Sequence, residues 1–539
     1  MITGECKGTT KGRPCFAVFA RESTMITRRD FLKLAGIAGI AAATPRSAWA
    51  GEGKNKPNIV LILADDMGID SVAALNDKCG IPTPNLNALL KQGMHFSDAH
   101  SGSAVCSPTR YGVLTGRYSW RSRLKRGIVS QWERPLIEKD RLTLPRMLKN
   151  AGYNTACIGK WHLGWNWPKK GGGFTNKLNE IDFGRKIEGG PTDRGFDYYF
   201  GDDVPNWQPF VWIENGKTLG IPNKHVSFPR HYHSGSGIGM KDWDVEAVLP
   251  TITEKCVEYI RDNAKKDKPF FLFFPMTSPH EPIAPSQPFQ GKSGISRYAD
   301  FLMETDWCVG QVLNALEANG VSDDTLVIFT TDNGTSPLCE FAVLREKQTD
   351  LQNHWRGMKA DAFEGGHRVP FIVRWPGKIE PATKSDQTIS LVDIMATCGD
   401  AAGIRLPETA AEDSISLLPV LKGEKVKGPL HEAVICHSIS GVFVVRKGRW
   451  KLQFSAGSGG WSNPKDSTAI KQGLHKWQLY DLSTDPKETK NLTKNHPEVV
   501  KKLTAILRGY IEKGRSTLGA PQKNHDGAIW WKGLPWNMD

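Results

Sequence analysis

This sequence predicts a doubly wound, mostly parallel α/β sheet followed by a smaller antiparallel α+β unit. Three observations predict it. The runs NIVLILA, PFFLFFPM and TLVIFTT are continuously apolar, as in strands buried on both faces. Helical patterns alternate with these runs, which is the order of a parallel sheet with helices on its faces. Polar clusters fall directly after strands: Asp65-Asp66, Lys160-Trp161-His162, Pro279-His280 and Asp332-Asn333-Gly334. Open α/β sheets bind ligands at that carboxyl edge.

The 539 residues exceed one small core, so two folded units are expected, at 55–425 and 426–515. Composition is that of a globular chain, with 39% hydrophobic and 24% charged residues. Net charge is +13; residues 1–50 hold eight Lys/Arg against three Asp/Glu, so the remainder carries +8. That charge suits polyanionic partners such as sulfated glycans. No Lys/Arg block is dense enough to favour nucleic acid.

Residues 25–50 read as a twin-arginine export signal. Thr27-Arg28-Arg29-Asp30-Phe31-Leu32-Lys33 precedes a short alanine-rich run ending at Ala48-Trp49-Ala50, a small-x-small cleavage pattern. The run is too short for stable membrane insertion. Residues 1–24, before Met25, resemble neither signal nor fold. The expected location is periplasmic or secreted, with the twin-arginine translocase as a partner. Of ten cysteines, Cys6 and Cys15 precede Met25, and the other eight are scattered singly. They read as buried thiols rather than a disulfide framework.

In order, β-type NIVLILA delivers Asp65 and Asp66. TPNLNALLKQG is a helix with Thr83 as cap and Gly93 as stop. MHFSDAHS leads to a loop, then to Cys106-Ser107-Pro108-Thr109-Arg110. Pro108 suits the first turn of a helix. Cys106 therefore sits at a helix mouth beside Arg110 and Arg117, where anions are favoured. It reads either as a small half-buried hydrophobe or as a reactive group facing an anion. LTLPRMLKNAG is a helix, and YNTACIG a strand delivering Lys160 and His162. Residues 165–245, rich in Gly, Trp, Asp and Asn, read as long loops. A helix over DVEAVLPTITEKCVEYIRDNA leads to PFFLFFPM, which delivers His280. The long helix RYADFLMETDWCVGQVLNALEANG precedes TLVIFTT. Beyond residue 430, EAVICHSI, GVFVVRKG, RWKLQFS and WQLYDL read as short antiparallel strands, and HPEVVKKLTAILRGYIEKG as the helix packed on them. Residues 516–539 form an aromatic tail that caps the fold.

Asp65, Asp66, Asp332 and Asn333 offer only oxygen, which suits Ca²⁺ or Mg²⁺ rather than zinc. Lys160, His162, His280 and Lys359 could surround an anion beside such a metal, giving cations for its oxygens and histidines for proton transfer. The expected substrate is a sulfate or phosphate ester. Trp161, Trp165, Trp167 and Trp207 could stack on sugar rings, although Trp165 and Trp167 read equally well as packing residues.

CSPTRYGVLTGRY resembles the type I sulfatase signature, C-x-P-x-R with L-T-G-R downstream. ADDMG, GKWHLG, SPH, TDNG, GMKADAFEGG and YDLSTDPKETKNL resemble the family's other blocks in its order, over residues 55–515. The likeness is to the arylsulfatase A and N-acetylgalactosamine-6-sulfatase branch. Thr109 stands where serine is commoner in the signature.

The resemblance implies an alkaline-phosphatase-like fold and a calcium-dependent sulfatase. It implies that a formylglycine-generating enzyme oxidises Cys106 to formylglycine, whose hydrate attacks sulfur with one hydroxyl and later eliminates sulfate through the other. It assigns one Ca²⁺ to Asp65, Asp66, Asp332, Asn333 and an oxygen on residue 106. Arg110 would steady the gem-diol and His162 act as base, while Lys160, His280 and Lys359 hold the sulfate of a carbohydrate or aryl sulfate. Two alternatives stay open: a phosphoesterase or phosphonate monoester hydrolase of the same fold, and a non-catalytic binder of sulfated glycans.

Overall fold

The computed structural model describes residues 56–525 and Leu534. The extension at 1–24, the twin-arginine segment at 25–50 and most of the aromatic tail lie outside them. Among the described residues the strands are, in chain order, β1 (Asn58–Ala64), β2 (Met94–His100), β3 (Asn154–Ile158), β4 (Tyr198–Gly201), β5 (Ile213–Glu214), β6 (Lys217–Thr218), β7 (Lys224–Val226), β8 (Gly237–Gly239), β9 (Phe270–Pro275), β10 (Thr325–Thr331), β11 (Phe371–Arg374) and β12 (Thr383–Ser390). Ten of them form one sheet in the order β12-β2-β11-β10-β1-β9-β3-β4-β5-β6, and β7 pairs with β8.

The central strands β10, β1, β9, β3 and β4 are all parallel. The flanks are not: β11 runs antiparallel to both β10 and β2, and β5 and β6 turn back on β4. The sheet is therefore mixed, with a parallel heart. Sequence reading passed over β2, β11 and β12 because their apolar signal is weak or short. β12 (TKSDQTIS) mixes exposed polar residues with buried ones, and β2 is only partly buried.

Alternate side chains of β1 enter two different cores. Ile59, Leu61 and Leu63 join the core on one face, while Val60 and Ile62 join the other. Each such burial stabilises the fold by about 1.5–3 kcal/mol. This explains why the central strands have no polar alternation.

Helices Pro84–Gln92, Leu144–Asn150, Val248–Asn263 and Arg297–Ala318 fall where the pattern places them. Thr143 and Ser296 cap their helices through the side chain. Thr83 makes no cap bond, and its hydroxyl instead accepts Ala73 N at 2.9 Å.

The second sheet is an antiparallel meander of β13 (Val434–His437), β14 (Phe443–Lys447), β15 (Trp450–Gln453) and β16 (Gln478–Asp481). Leu503, Leu507 and Ile511 of the Pro497–Lys513 helix pack on Ile435, Val445 and Leu452. Leu534 of the tail is buried in the same core, as are Tyr118 and Trp120 from the signature stretch. Arg121 follows them. Its Nε and Nη2 donate to Asp413 at 2.8 Å each, its Nη1 donates to the Tyr510 carbonyl at 2.9 Å, and its guanidinium lies over Trp120.

Burial acts upward on the Asp413 carboxyl, but Arg121 and the bonds it receives hold it below its ordinary value. Its stabilising contribution is therefore present above about pH 4 and lost as pH falls through the lower folded value. Arg121→Ala is expected to destabilise the protein by about 3–5 kcal/mol, because Asp413 stays buried without its cation. Urea unfolding at neutral pH measures this.

Candidate active site

The parallel heart of the sheet brings the polar clusters together. β1 and β10 are paired in register up to Ala64 and Thr331. Asp65 and Asp332 therefore leave the sheet side by side. Asp66 follows with φ 65°, a left-handed conformation that aspartate tolerates better than most residues. β3 ends at Gly159, whose φ is 128° and where a Cβ would stand 2.1 Å from the Pro275 carbonyl oxygen. Only glycine fits there, and it lets Lys160 turn over the edge. β9 leads to His280. The Cys106–Thr115 helix points its first residue at the same edge, with Val105 as an N-cap that supplies no side-chain bond.

Arg110 is the hub. Its Nη2 donates to Asp332 Oδ2 at 2.8 Å and Asp65 Oδ2 at 3.1 Å. Its Nε donates to Asp332 Oδ2 at 3.1 Å, and Nη1 to the Lys160 carbonyl at 3.0 Å. Lys160 Nζ donates to Asp65 Oδ2 at 2.5 Å and lies 3.9 Å from Cys106 Sγ. The Cys106 thiol faces Asp65 Oδ1 at 3.6 Å. Lys359 Nζ donates to Asp66 Oδ2 at 2.7 Å, and His280 Nε2 lies 3.8 Å from the same oxygen. Asn333 Nδ2 donates to Asp66 Oδ1 at 2.8 Å. His162 Nε2 meets the Val129 carbonyl at 3.1 Å, and its ring packs edge-on against Trp207. All the sequence-predicted site residues are thus at one place, and all are buried.

Burial and mutual charge set their protonation. Burial works upward on Asp65, but Lys160, His280, Arg110 and Lys359 hold it well below the ordinary carboxylate range. Burial raises Asp66 to about 6, against the pull of Lys359. Burial and the neighbouring Asp65 charge raise Asp332 to about 7. Burial pushes the Cys106 thiol far up, despite Lys160 and Lys359. Burial, then Lys160, hold His162 and His280 well below the ordinary histidine value.

The oxygens suit a hard cation. Asn333 Oδ1 is buried with no protein partner, and Asp65 Oδ1 receives only the weak thiol contact. Ligand atoms of Asp65, Asp66, Cys106 and His280 lie within 4.8 Å of one another. A second group, the half-buried Asp98 with the buried His100, Glu364, His367 and Cys436, is of another kind. His100 spends its two ring nitrogens on Asp98 Oδ1 and His367 Nδ1, and Arg368, Arg446 and Lys451 crowd the carboxylates. It is a structural ion network.

Of the four tryptophans expected near a ligand, Trp161, Trp165 and Trp167 are core residues, at most 2% exposed. They pack among Phe196, Tyr199 and Phe183. Trp207 is half-buried against His162. Sequence reasoning missed Glu281, which receives Asn206 Nδ2 at 2.8 Å and whose carboxyl is raised by burial, with Lys359 and Lys160 opposing. Its place directly after His280 was the available signal. It also missed Asp361, two residues after Lys359.

Arg110→Lys is expected to destabilise the protein by about 3 kcal/mol, because one ammonium cannot serve two carboxylates and a carbonyl at once. A thermal or urea unfolding curve checks this.

Residues 57–404 match the family described as Sulfatase, and residues 357–461 match N-sulphoglucosamine sulphohydrolase, C-terminal. The chain is 33% identical to an N-acetylgalactosamine-6-O-sulfatase of Bacteroides thetaiotaomicron, over 85% of this chain and 93% of that protein. It is 30% identical to arylsulfatase A of Bos taurus, over 87% of each. A solved Bacteroides thetaiotaomicron structure, described under the metabolism of multiple glycosaminoglycans, superposes with a TM-score of 0.73 at 31% identity. It covers 84% of this chain and 99% of its own. A Pseudoalteromonas sulfatase has a TM-score of 0.64 at 21% identity, over 85% of this chain and 90% of its own, a likeness of fold alone.

Proposed function

Because the chain belongs to the sulfatase family, we propose that it hydrolyses a sulfate ester on a carbohydrate to alcohol and inorganic sulfate, using Ca²⁺ and a formylglycine made from Cys106. The observation that carries this reading is the convergence of Arg110, Lys160 and Lys359 on Cys106 and a cluster of oxygen donors. The elevated thiol supports it too. A thiol that burial keeps protonated is a poor nucleophile, so Cys106 makes better chemical sense as a precursor.

Asp65, Asp66, Asp332, Asn333 and the oxygen on residue 106 would hold Ca²⁺, which supplies Lewis-acid polarisation of the sulfate oxygens. Formylglycine at residue 106 would supply a hydrated aldehyde, with one hydroxyl as nucleophile and a second through which sulfate would be released. Arg110, braced by two carboxylates, orients residue 106. Lys160 and Lys359 neutralise the sulfate oxygens, and His280 stands with Lys359 on the side of the leaving oxygen. His162 serves as base. Its Nε2 faces a carbonyl and so carries the proton, which leaves Nδ1, buried and without a protein partner, as the acceptor.

The substrate class follows the relatives. The 33%-identical protein is named for 6-O-sulfated N-acetylgalactosamine, and that sugar is the first to test. The rival reading, a phosphoesterase of the same fold, uses the same cations. Purified protein should turn over aryl sulfate faster than aryl phosphate, and the opposite order would sink the sulfatase reading. Cys106→Ala should lower turnover by at least ~10³-fold, the scale of losing a nucleophile. The peptide carrying residue 106 should weigh about 18 Da less than its cysteine form; an unmodified thiol in active protein would overturn the mechanism. Chelator treatment should lower Tm, Ca²⁺ should restore it, and Asn333→Ala should weaken that restoration.

A further inference from the structure

The connection between β15 and β16 reaches the catalytic cluster. Trp461, in that connection, is 41% exposed, and Lys359 Nζ lies 6.0 Å from its ring centroid. Its mounting is rigid. Trp461 N and Ser462 N donate to Asp361 Oδ1 at 2.7 and 2.9 Å, and the Ser462 hydroxyl donates to Asp361 Oδ2. Met358 N donates to that same Oδ2 at 3.0 Å. One buried carboxylate thus ties the Lys359 loop to the Trp461 loop. The two backbones also touch: a Cβ on Gly460 would stand 2.2 Å from the Ala360 carbonyl oxygen and 2.7 Å from Asp361 Oδ1.

A single exposed aromatic is ordinary on a protein surface, so it is the mounting of Trp461, and not its exposure, that sets it apart. Here it is held beside a cation that faces the site. A pyranose ring presents a C–H face that packs on an indole, and a sulfate on that ring extends to one side. The structure assigns Trp461 as the platform on which the sulfated sugar ring stacks, with Asp361 as the positioning residue that sets its distance from Lys359. This assignment rests on reading the cluster as a sulfatase site, and it makes the second sheet a contributor to substrate choice.

The test uses the full-length protein with 6-O-sulfo-N-acetylgalactosamine as substrate and inorganic sulfate as competitive inhibitor. Sulfate needs Lys359 but not the platform. Trp461→Ala should raise KM for the sugar sulfate about 2–13-fold, the scale of an aromatic contact of about 0.5–1.5 kcal/mol. The inhibition constant of sulfate should shift much less, and Trp461→Phe should recover most of the KM. An unchanged KM in Trp461→Ala overturns the assignment. So does a parallel shift of KM and the sulfate constant, which marks a general disturbance of Lys359. If the wild type turns over neither sugar sulfate nor aryl sulfate, the sulfatase reading falls by itself. Calorimetric titration of unsulfated N-acetylgalactosamine then decides the platform. Weaker binding by Trp461→Ala supports it, and equal binding overturns it.

Discussion

Arg110, wedged between Asp65 and Asp332, is the interaction on which the rest depends. Three carboxylates, Asp65, Asp66 and Asp332, are fully buried at one sheet edge. Charges so placed cost several kcal/mol each unless they are paired. The pairing cations come from three separate places: Arg110 from the helix after β2, Lys160 after β3, and Lys359 from the loop before β11. The edge is therefore stable only when the whole parallel heart of the sheet is in register. Site and fold are one constraint seen twice.

The second sheet belongs to that constraint. Ala104 N donates to the His437 carbonyl, two residues before Cys106, and Ile439 N donates to the Ala360 carbonyl beside Lys359. Ala362 N donates to Ser458 O. β13 and its flanking turns thus hold the Cys106 loop and the Lys359 loop at once. Glu364, Lys451 and Glu488 extend the link below, with Lys451 Nζ 2.7 Å from Glu488 Oε1 and 3.2 Å from Glu364 Oε1. Glu488 lies in the YDLSTDPKETKNL stretch, whose sequence shows no chemistry of its own. Its part is to hold the loop that carries Lys359.

The central strands were legible because burial on both faces leaves an unbroken apolar run, as in β1, β9 and β10. Asp65, Asp66, Asp332 and Asn333 were legible because they follow such strands directly, whereas Cys106, Arg110 and Lys359 lie off those strands and were singled out by the motifs CSPTR and GMKADAFEGG. β2 and β12 were hidden: their mixed burial dilutes the apolar signal, and β11 has four residues. The tryptophans misled for a related reason. Trp161, Trp165 and Trp167 stand next to sheet-edge residues in the chain, yet their rings turn back into the core beneath the edge. Trp461 carries no such local cue, because it reaches Lys359 across about a hundred residues of sequence through bonds to Asp361 that only the folded chain brings together.

The charge balance of the cluster joins the metal and the anion readings. Lys160 and Lys359 are each committed to one carboxylate, at 2.5 and 2.7 Å. Asp65 also receives Arg110 and Asp66 also receives Asn333, but each lysine so held is drawn away from a substrate oxyanion. A further positive charge facing Asp65 and Asp66 would free the lysines to turn toward an anion. The donors for it are present: carboxylate oxygens, and an Asn333 carbonyl that no protein group satisfies. When all three acids are ionised, they balance the three permanent cations Arg110, Lys160 and Lys359. On the function proposed above, a divalent cation would favour the ionised acids and add two positive charges, which would help to draw in a sulfate ester and to hold a second negative charge as the ester bond broke.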